Sequence, residues 1–169
     1  RAFPHLSDKD AYFSGVHSVD SQMSAQQMAK AKDEELLKLF TELTDTTGWD
    51  HPRFRGKGGT IQASRVFGEL AKEQPERVAR LIFHLQPKRN EITAGHALEG
   101  LSKSELSSQK LFELIQELDK VGFESEDFRH YAARAAGERL NSDNTLPKEF
   151  FMLFESWLKP FTEEIKEDK

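Results

Sequence analysis

The chain has 169 residues, 37% hydrophobic and 31% charged, with 24 Lys and Arg against 29 Asp and Glu for a formal charge of -5. The acidic balance argues against general nucleic-acid binding, which needs a basic footprint. The lack of cysteine excludes disulfides, thiol catalysis and cysteine-held zinc and fits a reducing, cytoplasmic setting, and no apolar run reaches the ~20 residues that cross a bilayer.

The opening Arg1-Ala2-Phe3-Pro4 lacks both Met and a signal peptide and reads as a piece of a longer polypeptide. Residues 1–20 mix Pro4, Gly15 and scattered aromatics without any period, so an extended lead-in is expected. A single helical domain is expected over residues 21–161, irregular over 21–59, with paired helices over 60–161 and a charged, fraying tail over 162–169. Leu36, Leu37, Phe40 and Leu43 share one helical face, with Asp33 as the expected cap.

The longest break runs from Thr44 to Gly59 and holds four glycines and Pro52. After it come Ala63, Val66, Phe67 and Leu70 on one stripe. Gln74-Pro75 then ends one helix and starts another, proline suiting the first helical position. Val78, Leu81, Ile82 and Leu85 repeat the i, i+3, i+4, i+7 spacing, as do Ala94, Ala97, Leu98 and Leu101. Leu111, Leu114, Ile115, Leu118 and Val121 follow, with Gly122 as a left-handed stop. Ser125 is the expected cap of a helix bearing Phe128, Tyr131, Ala132, Ala135, Ala136 and Leu140. Pro147 opens the last helix, with Phe150, Leu153, Phe154, Trp157 and Leu158.

No segment alternates with period two, so the class is all-α. The pairs open near residues 60, 91 and 126, a spacing of roughly 31 to 35 residues. That meets the low edge of helix-turn-helix solenoids, about 34 to 47 residues per repeat. The expected architecture is stacked antiparallel helix pairs in an α-solenoid-like (HEAT/TPR-like) superhelix, with an irregular helical bundle as the alternative.

Chemical constellations are sparse. His96 and His130 each have acids at helical spacing, but there is no His-Glu-x-x-His run, so no metal site is expected. Glu124, Glu126 and Asp127 stand at a helix start, where acids favour the dipole. No Gly-x-Ser-x-Gly elbow is present, and no catalytic residue or cofactor is expected. Gly56-Lys57 is no phosphate loop, because His51 stands where the pattern needs Gly and Gly58 where it needs Ser or Thr. What remains is a basic, glycine-rich loop with Trp49, His51, Arg53, Arg55 and Lys57. It runs into a helix start at Gly59-Thr60 and is a candidate anion- or partner-binding segment. The plainer reading is a turn in which the arginines pair with Asp50 and Glu69 and Trp49 is a plug.

The run Glu69-Leu70-Ala71-Lys72-Glu73-Gln74-Pro75-Glu76-Arg77-Val78-Ala79-Arg80-Leu81 and the later Ala97-Leu98-Glu99-Gly100-Leu101 carry a family resemblance. With Asp33-Glu34-Glu35-Leu36-Leu37, Gly48-Trp49 and the Arg55-to-Gly59 loop, the chain over residues 22–160 resembles the helical-repeat region of large bacterial STAND-type (NACHT-like) P-loop NTPases. That resemblance implies a nucleotide-binding core upstream and a sensor or scaffold role for the repeats, in several members within defence against phage. It supplies no catalytic residue here, and partners would be proteins or other domains of the same parent chain. The alternative is a nucleic-acid-handling repeat protein, which requires Arg53, Arg55, Lys57, Arg77, Arg80, Lys88 and Arg89 to converge on one face.

Overall fold

In the computed structural model the described residues are 20–43, 58–143 and 147–167, with side chains described except at 142–143 and 159–167. Among them there are eight α-helices and no strand: α1 (Ala25–Lys30), α2 (Asp33–Glu42), α3 (Thr60–Glu73), α4 (Pro75–Leu81), α5 (Glu91–Ser102), α6 (Ser108–Lys120), α7 (Glu126–Asp143) and α8 (Lys148–Glu167). A 3-10 turn, Ile82–His84, extends α4.

The helix boundaries follow local chemistry. Ser24 caps α1, its hydroxyl accepting from Gln27 N–H at 3.2 Å while the Gln27 side chain accepts from Ser24 N–H at 2.8 Å. Ser107 and Ser125 cap α6 and α7 in the same way, accepting from Lys110 N–H and Phe128 N–H. Pro75 is the first residue of α4, and Gly122 at φ 103° ends α6 in the left-handed region that a side chain rarely enters. Asp33 is not the cap of α2. It is the first helical residue, and its carboxylate instead accepts from Arg77; Glu35 supplies the capping contact by accepting from Lys32 N–H at 3.0 Å. The last helix also departs from expectation. Its backbone stays helical past Pro160 to Glu167, since proline removes only one rung of the ladder.

The packing is organised around α5, which lies between α3 and α7. Contacts climb in the same direction along all three helices. Ser64 meets Thr93, with hydroxyls 2.8 Å apart, and Gly68 lies against His96 and Gly100. On the other side Gly95 lies under Tyr131, and Glu99 meets Arg134. The three helices are therefore parallel. A Cβ on Gly100 would stand 2.0 Å from the Gly68 carbonyl oxygen, so the α3 and α5 backbones nearly touch. This approach buries Thr93 and Gly100, and Tyr131 of α7 covers Gly95, although none of the three lies on the apolar stripe.

The core includes Phe40, Phe67, Leu70, Ile82, Leu98, Leu101, Leu111, Phe123 and Phe128. Phe40 and Phe67 meet edge to face at 5.0 Å, and Phe150 joins Phe112 at 4.7 Å and Phe154 at 4.8 Å. Most stripe residues are buried, Leu37, Val66, Tyr131, Leu153 and Phe154 are half-buried, and three are exposed. Val121 is 56% exposed at the end of α6, Leu140 is 37% exposed and Leu158 is 60% exposed.

Candidate functional site

Trp49, His51, Arg53, Arg55 and Lys57 lie outside the described residues, as does Asp50. What is described is where their loop joins α3. Gly58, Gly59 and Thr60 are buried, Gly58 N–H donates to the Asp20 carbonyl at 2.8 Å, and the Gln22 amide donates to the Gly58 carbonyl. The α3 start is thus tied to the chain just before α1. Glu69, the other expected partner of the loop arginines, accepts instead from Lys72 at 2.7 Å.

Several cations of the nucleic-acid reading have structural work. Arg77 donates to Asp33 at 2.7 Å, to the Ala29 carbonyl at 3.1 Å, to Gln74 at 2.9 Å and to the Ala31 carbonyl, closing the end of α1. Arg89 donates to the Thr41 carbonyl and Asn90 to the Phe40 carbonyl, closing α2. Arg139, which the sequence pattern did not single out, donates to the Leu101 carbonyl in the last turn of α5 and to the Ser104 carbonyl just beyond it, at 3.0 and 2.6 Å. A helix leaves its last four carbonyls without intrahelical donors, and a guanidinium forks across two or more of them while favouring the negative dipole end. Buried Glu91 acts oppositely, accepting from the backbone N–H groups of Lys88 and Ser125 and joining two turns.

A polar seam crosses α3, α5 and α7. The Tyr131 hydroxyl and His96 Nε2 are 3.2 Å apart, with ring centroids 4.6 Å apart. Burial holds the His96 pKa below its ordinary 6.5; Glu99 pulls it up, while Arg65 and Arg134 add to the lowering. Glu99 accepts from Lys103 at 3.0 Å and from Arg134 at 3.3 Å, and the Lys103 bond is the main reason its pKa lies below the usual value. His96 Nδ1 is 3.9 Å from Glu99, beyond hydrogen-bond range, so the two form no relay. His130 also pairs edge to face with Tyr131, at 5.8 Å between centroids. Among the described residues no group of three His, Asp or Glu is placed to hold a metal ion.

A concavity lies elsewhere, between α7 and α8. It is a trough of about 870 Å³, walled on α7 by Ala133, Gly137 and Leu140 and on α8 by Phe151, Phe154 and Leu158. Phe151 is 59% exposed, and a Cβ on Gly137 would meet nothing within 4 Å. Trp157 forms the floor, its indole N–H donating to Asp119 at 2.7 Å, with the Arg129 guanidinium 5.7 Å over its ring. Glu126, Asp127 and His130 stand at one end. The sequence pattern placed Leu140 and Leu158 on core stripes; their exposure is the one signal of the trough, and it needs the structure to be seen.

No helix is long and apolar enough to cross a membrane among the described residues. No family model, curated protein or solved structure matches the chain.

Proposed function

We propose that the chain is a non-catalytic helical-repeat segment that binds protein. It acts as a sensor or scaffold within a larger, cytoplasmic STAND-type NTPase, the class whose repeat region its sequence resembles. The observation that carries the reading is the open face of α7. Helix α5 is covered on both sides by parallel neighbours, whereas α7 is covered by α5 on one side and faces the trough on the other. A row of parallel helices with an uncovered last member is what a stacked superhelix presents to a partner or to a further repeat. The trough is apolar, rimmed by charge and wide enough for side chains of another helix, which suits protein recognition better than catalysis. The nucleic-acid reading gains no support, because Arg77 and Arg89 are held by helix-end carbonyls.

The test is selection of helical peptides displayed in a random library against the folded chain, followed by amide exchange on the selected complexes. Specific peptide ligands that protect helix faces are expected. Failure to select any peptide, together with salt-sensitive binding of duplex or single-stranded DNA, would overturn the reading.

A further inference from the structure

The ion pairs between helices follow one direction. Arg77 of α4 reaches Asp33 of α2, Lys110 of α6 reaches Glu76 of α4, and Arg134 of α7 reaches Glu99 of α5. In each of these three the later helix brings the cation and the earlier one the acid. Each added layer thus meets acids already laid down.

Helix α7 carries acids of the same kind at the start of the α7–α8 trough. Glu126 and Asp127 line one end of the trough, are exposed, and have no partner among the described residues. Beside them runs the apolar wall of Phe151, Phe154 and Leu158 facing Ala133 and Gly137. Gly137 also contrasts with the glycines of the closed contacts. Added Cβ atoms at Gly68, Gly95 and Gly100 would meet the neighbouring helix at 2.7, 2.6 and 2.0 Å, whereas Gly137 meets nothing.

We propose that the α7–α8 trough is the docking site for an amphipathic helix of a partner protein that carries Lys or Arg beside its apolar stripe. The stripe lies on Phe151, Phe154, Leu158 and the open Gly137, and the cations meet Glu126 and Asp127. This deepens the protein-binding reading by fixing the place and the chemistry of the ligand, and it rests on that reading.

The probes are two synthetic 18-residue helical peptides with the same Leu and Ala stripe, one flanked by Lys and Arg, the other by Glu, each labelled for fluorescence anisotropy. The basic peptide is expected to bind at least tenfold more tightly than the acidic one. Glu126→Gln with Asp127→Asn should reduce that preference to under threefold, and Gly137→Leu, which fills open space, should weaken the basic peptide at least tenfold. Equal or tighter binding of the acidic peptide overturns the proposal, as does basic-peptide binding that Gly137→Leu leaves unchanged. A self-associating chain that Gly137→Leu turns monomeric, with neither peptide bound, assigns the trough to a second copy and also overturns it. Displayed peptides that protect only α3 and α5 would leave protein binding standing and remove this site.

Discussion

The α3–α5 contact and the α7–α8 face are built from similar residues and end in opposite states. Both use glycine and small side chains. Between α3 and α5 this lets backbones approach until Gly100 has no room for a methyl group; at Gly137 the same residue type looks into an empty trough. A glycine in a helix costs about 1 kcal/mol relative to alanine. That cost is offset at Gly100 by close packing, and at Gly137 nothing among the described residues within 4 Å of an added Cβ offsets it. The difference separates a closed contact from an open face.

The largest effect should come from closing the finished contact. Gly100→Ala should force α3 and α5 apart and cost about 3 kcal/mol, net of alanine's better helix propensity. Thermal unfolding reads this, and a variant as stable as the parent would show that the two backbones are not in contact. Next in size is Arg77→Ala, which leaves Asp33 and the end of α1 without their shared donor. A loss of about 2 kcal/mol is expected, with amide exchange accelerated chiefly at residues 25–31. Gly137→Ala sharpens the comparison from the other side and should stabilise the chain by about 0.5 to 1 kcal/mol. A loss of stability there would mean that the α7 face is covered.

The smallest effect is the pH response of the polar seam. His96 has a lowered pKa, so the folded state resists its protonation and the unfolded state does not. The stability this gives is complete above pH 6.5 and is lost as pH falls from 6.5 through the folded value. Glu99, also lowered, adds a second loss that begins only below its ordinary 4.5. Denaturant unfolding at several pH values should show the first loss, and His96→Gln should remove it while leaving the second.

The starts of the paired helices were legible in the sequence because each has a local cause. Thr60 follows a glycine run, Glu91 follows the Pro87 turn, and Glu126 follows the Ser125 cap, and all three lie at the expected places. The all-α class was legible for the same reason, since the 3.6-residue period is a property of each segment alone. Burial of Gly95, Gly100 and Ser102 was not legible. A small residue in a helix carries no hydrophobic signal, and only a second helix at short range gives it a function. The trough failed in the reverse sense: Leu140 and Leu158 have the right period but no partner, and periodicity does not say which faces meet. Val121 continued the α6 stripe on paper, but it sits at the C-cap, where the chain turns towards Gly122. The Trp49-to-Lys57 loop lies outside the described residues, and only its anchorage at Gly58 was open to comparison.

The arginine that closes α1 has a consequence in time. Six residues are too few for a helix to persist in water without outside support. Here part of that support is Arg77, which lies 48 residues beyond the Ala29 carbonyl it binds. On a growing chain, α1 lacks its terminal donor until α4 has been synthesised and brought back to it. The first helix of the described residues is therefore among the later ones to become secure, and its closure records the arrival of the middle of the chain.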